Sequence, residues 1–116
     1  MRVLIKATQY MKIKLLSDLH LEFHDYTYQD CDSDVIVLAG DIHKGLKGIK
    51  WAIDNIKDKP VIYVMGNHEF YGETQQKLIK KARILVEDTN IYLLENESIF
   101  IDGVNFLGCT LWTDYN

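Results

Sequence analysis

Apolar runs of four or five residues alternate with polar exits along this chain, and the exits carry the chemistry. Lys14-Leu15-Leu16 runs into Ser17-Asp18-Leu19-His20. Val35-Ile36-Val37-Leu38-Ala39 opens into Gly40-Asp41-Ile42-His43, and Val61-Ile62-Tyr63-Val64 opens into Gly66-Asn67-His68-Glu69. Short β-branched apolar runs read as buried strands, and glycine permits the sharp exit that follows one. Strands are therefore expected at 12–17, 34–39 and 61–64, with a polar and aromatic loop over 18–33. Within 44–57, Leu46, Ile49, Ala52, Ile53 and Ile56 fall on one face of a helix, with lysines elsewhere. Pro60 marks the exit of that helix and can precede a strand.

A second amphipathic helix is expected over 74–87. Leu78, Ala82, Leu85 and Val86 share its apolar face, while Gln75, Gln76, Lys77, Lys80 and Lys81 face water. A short strand follows at 91–94. Segments 98–101 and 104–107 then flank Asp102-Gly103, a two-residue hairpin signal. The order is β-α-β units and then a hairpin, which predicts an α/β layered fold.

Composition narrows the function. The 116 residues fit at most one domain and suffice to bury a core. A net charge of −4 leaves no broad basic face, so charge-driven nucleic-acid binding is not expected. Nucleic acid enters only as a substrate, because bound metal ions would dominate the local field. The two cysteines, Cys31 and Cys109, form no C-x-x-C pair, so a disulfide scaffold is not expected and a reducing cytoplasm is the default compartment. The apolar runs are far too short to span a membrane. Residues 1–10 precede a natural start at Met11 and read as an N-terminal extension, either an edge strand or a mobile end.

The three strand exits carry ligand-type side chains. Residues i and i+2 of an extended segment point the same way, so Asp18 and His20 can reach one cation. A carboxylate with an imidazole suits Mn²⁺, Fe or Zn²⁺, although the pair also fits a polar strand-end loop. Asp41 fits an ordinary turn as well as a bridging carboxylate. Asn67 offers a neutral amide oxygen or a turn cap. His68 is a candidate acid or phosphate contact, which Glu69 would orient if it does not simply face water. His43 is a further candidate for phosphate contact. Glu22 and His24 are candidates for supporting roles or for a solvated loop. Phe70, Tyr71, Trp51 and Trp112 read as packing groups. A dinucleotide-binding domain is a poor fit, because Asp18 and His20 occupy the turn where G-x-G-x-x-G would stand.

Taken together and in order, D-L-H, G-D-I-H and G-N-H-E resemble the first three motifs of the calcineurin-like metallophosphoesterases. The runs L-L-S-D-L-H-L-E-F, V-M-G-N-H-E-F-Y-G and G-C-T-L-W-T-D-Y extend the resemblance over Met11 to Asn116. It implies a layered αββα sandwich, of which 11–116 would be a partial domain holding about the first half. It implies two divalent metal ions, Mn²⁺ foremost with Fe or Zn²⁺ as alternatives. Asp18 and His20 would hold the first, Asp41 would bridge both, and Asn67 would hold the second. His68 would contact the phosphoryl group and assist the leaving oxygen, during hydrolysis of a phosphomonoester or phosphodiester by the complete protein.

The family pattern continues with a lone His and then G-H-x-H, whereas this chain has four histidines, His20, His24, His43 and His68. A second expectation therefore stands beside the first: a non-catalytic remnant, or half of a split enzyme, that binds metal weakly or binds a protein partner. Half a sandwich would also leave apolar sheet surface uncovered, a route to self-association.

Overall fold

The central sheet takes its strands in the order in which the chain makes them. In a computed structural model that describes residues 11–29, 32–70, 72 and 74–110, β1 (Ile13–Leu16), β2 (Val35–Ala39), β3 (Val61–Val64) and β4 (Ile91–Leu93) pair successively, and every pairing is parallel. Parallel neighbours need a crossover. Helix α1 (Lys47–Asn55) joins β2 to β3, and α2 (Gln75–Leu85) joins β3 to β4. The link from β1 to β2 is instead the long loop that carries Asp18 and His20. The stretch 1–10, read as an extension, lies outside the described residues.

Alternation along the strands decides which layer each residue joins. Ile36, Leu38, Val61, Tyr63, Ile91 and Leu93 face the helices and pack with Ile49 and Ala52 of α1 and Leu78 and Ala82 of α2. Leu19, Leu21 and Tyr28 of the first loop join the same layer, so the loop covers β1 where a helix would otherwise lie. The opposite face carries Val35, Val37, Ile62, Val64 and Leu94. Ile99, Ile101 and Phe106 pack there from the hairpin of β5 (Glu97–Ile101) and β6 (Val104–Gly108). Asp102 and Gly103 turn that hairpin with φ of 48° and 84°, the left-handed pair that a tight two-residue loop requires.

The helices are shorter than the periodicity predicts, for local reasons. Before α1, Lys47 N donates to Lys44 O and Gly45 takes a positive φ, so 44–46 form a turn. Thr74 lies outside α2 as its cap, where its Oγ1 accepts from Lys77 N at 3.4 Å. Asn90 ties the helix exit to the next strand, donating to Ile56 O at 2.8 Å and to Lys59 O at 2.6 Å.

The hairpin leaves part of the second sheet face open. Ile13 and Leu15 on β1 are 46% and 65% exposed, and Leu107 of β6 is 80% exposed. A cleft of about 500 Å³ runs between Val37, Val64, Leu107 and Gly108 and reaches Asp41 and Asn67 at its polar end. Among the described residues no helix is long and apolar enough to cross a membrane.

Candidate metal centre

The exits of β1, β2 and β3 converge at the carboxyl edge of the sheet, where open α/β sheets place their chemistry. Backbone bonds stitch the first two exits together: Asp18 N donates to Gly40 O at 3.0 Å, His20 N to Asp41 O at 3.1 Å and Leu21 N to Ile42 O at 2.8 Å. The second and third exits meet at two glycines. A Cβ on Gly40, whose φ is 86°, would lie 3.0 Å from both Cα and N of Gly66, tighter than nine in ten real Cβ contacts and against backbone on both counts.

Asp18, His20 and Asp41 bring one donor atom each to within 4.8 Å of one another. The extended i, i+2 geometry expected of Asp18 and His20 is not how they meet. Asp18, His20 and Asp41 have φ of 55°, 47° and 53°, so a left-handed backbone at each position aims the ligands. Such conformations are costly for residues with a Cβ and concentrate at functional sites. Asp18 Oδ1 lies 3.6 Å from His20 Nε2, and the Ser17 hydroxyl supports Asp18 Oδ2 at 2.6 Å.

Asn67 opens a short 3₁₀ turn, Asn67–Phe70. The terminal amide atom that faces Asp41 lies 3.1 Å from both carboxylate oxygens. As nitrogen it donates to them; as oxygen it leaves three acceptors face to face, an arrangement that a cation between them satisfies. Either way Asn67 and Asp41 share one point. His68 N donates to Asp41 Oδ1 at 2.9 Å, which fixes the carboxylate from the third loop. The donor set is hard to intermediate and fits Mn²⁺, Fe or Zn²⁺.

Glu69 does not face water, and the structure gives it a role other than orienting His68. It is fully buried beneath the site. Its Oε1 accepts from Asp41 N at 2.9 Å and Gly66 N at 2.8 Å; its Oε2 accepts from Ile42 N and from the Tyr63 hydroxyl, both at 2.9 Å. Burial pushes the Glu69 carboxyl up, against the pull of those donors, and burial beside Glu69 pushes the Tyr63 phenol well above its ordinary range.

Glu22 is the carboxylate that His68 meets. His68 Nδ1 stands 3.3 Å from Glu22 Oε2, and His20 Nδ1 stands 3.7 Å from Glu22 Oε1. Burial raises the Glu22 carboxyl, but its own backbone amide and the two imidazoles outweigh that and hold it below its ordinary value. The solvated-loop alternative for Glu22 therefore fails, since its side chain is only 9% exposed.

The remaining candidates lie around the centre. His43 is partly buried, its Nδ1 accepts from Lys44 N at 2.7 Å, and burial lowers its pKa. It borders a groove with His24, Tyr26 and Trp51 rather than the ligand cluster. His24 is exposed. Trp51 packs on the helix-side core, as does buried Phe70, while Tyr71 and Trp112 lie outside the described residues. Cys109 is a free, exposed thiol, and Cys31 falls outside the described residues. Two signals in the sequence could have found the buried supports. Tyr63 is a phenol inside an aliphatic strand and needs an acceptor, and Glu22 sits between apolar Leu21 and Phe23, two residues after His20.

Comparison with known proteins agrees with this geometry. The calcineurin-like phosphoesterase family profile matches residues 11–115. The chain is 30% identical over 125 residues to an uncharacterized protein of Acanthamoeba polyphaga mimivirus, covering 88% of this chain and 44% of that one. It is 32% identical over 116 residues to a UPF0046 protein of Caenorhabditis elegans, covering 88% of this chain and 39% of that one. The chain thus spans about two fifths of the length of the curated relatives it matches. No solved structure matches it significantly. With the profile spanning nearly the whole chain and the three motif loops converging at one sheet edge, the chain belongs to the calcineurin-like phosphoesterase family.

Proposed function

We propose that the protein carrying this chain hydrolyses phosphate esters with two bound divalent cations, Mn²⁺ foremost and Fe or Zn²⁺ as alternatives. Asp18 and His20 would hold the first ion, Asp41 would contribute to both, and Asn67 would hold the second. The observation that carries this is the convergence of Asp18, His20 and Asp41 donor atoms within 4.8 Å, with Asn67 against the same Asp41 carboxylate. Bound cations of this kind supply Lewis-acid polarisation of the phosphoryl group and a nucleophile at neutral pH.

The chain's own residues do the rest. Asp41 is held from behind by Glu69 and from the side by His68 N. The His68 ring meets the phosphoryl group through Nε2, which takes up a proton from solvent and passes it to the leaving oxygen. The substrate is a phosphomonoester or phosphodiester, nucleic acid included; specificity in such folds lies in loops grafted on the scaffold. The free Cys109 thiol suits a reducing, cytoplasmic setting. The open face at Ile13 and Leu15 supports self-association of this chain.

The test is hydrolysis of p-nitrophenyl phosphate and bis(p-nitrophenyl) phosphate by the full-length protein, stripped with chelator and then reloaded with Mn²⁺, Fe²⁺ or Zn²⁺. Turnover that vanishes on stripping and returns on reloading supports the reading. Turnover indifferent to chelator, or none with any of the three ions, contradicts it.

A further inference from the structure

One carboxylate stands behind two imidazoles. Glu22 presents Oε2 to His68 Nδ1 at 3.3 Å and Oε1 to His20 Nδ1 at 3.7 Å. The two rings meet edge to face with centroids 4.5 Å apart. The Glu22 side chain is nine-tenths buried, and the helical turn that returns Phe23 N and His24 N to His20 O holds it there. Among the described residues, His20 Nδ1 and Glu22 Oε1 are the two buried side-chain atoms without a hydrogen-bond partner, and they face each other. A small rotation of either group closes that contact.

We propose that Glu22 is a shared positioning residue that fixes both His20 and His68 as Nδ1–H tautomers, leaving each ring to work through Nε2. Each neutral imidazole carries one proton, and the partner of one nitrogen decides the role of the other. With Nδ1–H given to Glu22, His20 keeps its Nε2 lone pair, 3.6 Å from Asp18 Oδ1, for a cation. A carboxylate behind a ligand histidine fixes ring orientation and raises ligand basicity. His68, tied to the same carboxylate, exchanges its working proton through Nε2. Glu22 thus couples the group that holds metal to the group that meets the phosphoryl oxygen. The inference rests on the proposed roles of His20 and His68, but the tautomers themselves do not.

The competing reading is a cation held by Glu22, His20 and His68, each of which offers one donor atom within 4.8 Å of the others, with the two rings binding through the Nδ1 atoms that face Glu22. That arrangement consumes the nitrogens that the tautomer assignment protonates, so the two are mutually exclusive.

The experiment is long-range ¹H–¹⁵N correlation of the histidine rings in the ¹⁵N-labelled full-length protein, metal-free and mildly alkaline, for wild type, Glu22→Gln and Glu22→Ala. The expected wild-type result is a pyrrole-type Nδ1 and a pyridine-type Nε2 in both His20 and His68. In Glu22→Gln the amide has one acceptor and one donor face, so one ring keeps its tautomer and the other switches to Nε2–H. In Glu22→Ala both switch, with the backbone amide spectrum reporting that the fold is kept. Nε2–H rings in the wild type, or rings unchanged in Glu22→Gln, overturn the proposal. Zn²⁺ is then added as a diamagnetic probe. A shift confined to His20 Nε2 agrees with both readings, and shifts at the Nδ1 atoms of both rings overturn the shared-carboxylate role. No Zn²⁺ response with the tautomers as expected leaves Glu22 standing and defeats the metal reading instead.

Discussion

Glu69 holds Asp41 by its backbone: the Asp41 amide donates at 2.9 Å to Oε1 of Glu69, twenty-eight positions further along the chain. The same carboxylate takes the amides of Ile42 and Gly66 and the hydroxyl of Tyr63. One buried side chain therefore ties the exit of β2 to the exit of β3 and sets where the bridging candidate stands. Removing it leaves several buried donors without an acceptor, each costing about 1–3 kcal/mol. Glu69→Ala is expected to lower stability by more than about 3 kcal/mol, and Glu69→Gln by less, because the amide still accepts on one side. Urea denaturation of the three proteins measures this. A Glu69→Ala variant within about 1 kcal/mol of wild type would contradict the role.

Gly66 leaves room for Asp41. A Cβ there would collide with Asp41 Oδ1 and lie 2.7 Å from Asp41 N, and the backbone atom cannot yield. Gly66→Ala is expected to cost about 1–3 kcal/mol by overpacking and to displace the carboxylate. Mn²⁺ affinity, followed by the loss of the free-ion electron paramagnetic signal, should fall about tenfold or more. Unchanged affinity with a folded variant would show that Asp41 does not need this position.

Acid should weaken one surface tie in a defined direction. The Arg83 guanidinium, 2.7 Å from Glu97 Oε1, holds the Glu97 carboxyl below its ordinary value of 4.5. A carboxyl depressed in the folded state contributes stability above its unfolded value and loses it as pH falls through the folded one. Both partners are well exposed, so the contribution is below about 1 kcal/mol. The stability of wild type relative to Glu97→Gln should be constant well above pH 4.5 and shrink as pH falls below it. A gap that widens on acidification would reverse the sign.

The open face of β1 should drive association. Ile13 and Leu15 stand together there beside Val37. Leu15→Lys is expected to shift this chain toward monomer in sedimentation equilibrium without lowering its melting temperature, since Leu15 contributes little to the buried core. Identical association of the two proteins would place the contact elsewhere.

Much of this was legible in the residues, and what was not has a physical cause. The aliphatic runs at 35–39 and 61–64 and the Asp102-Gly103 turn gave their elements directly, because strand alternation and left-handed turn chemistry are local. The helix ends moved inward because capping at Thr74 and the turn at 44–46 depend on individual hydrogen bonds. Asp18, His20 and Asp41 were named from residue type and position, but their shared left-handed backbone depends on loops stitched across twenty or more residues. Glu22 and Glu69 were the hardest to place. Their roles depend on burial, which apolar neighbours such as Leu21 hint at in the sequence but which only the partners in space define.

Hydrolysis by the full-length protein at saturating Mn²⁺, wild type against Asp41→Asn, tests the central proposal most directly. If Asp41 bridges two metal ions that act on a phosphate ester, the wild type turns over bis(p-nitrophenyl) phosphate or p-nitrophenyl phosphate. The variant should then lose at least about a hundredfold in kcat while keeping its fold. Equal turnover by the two proteins at metal saturation would contradict the bridge and, with it, the assignment of this centre.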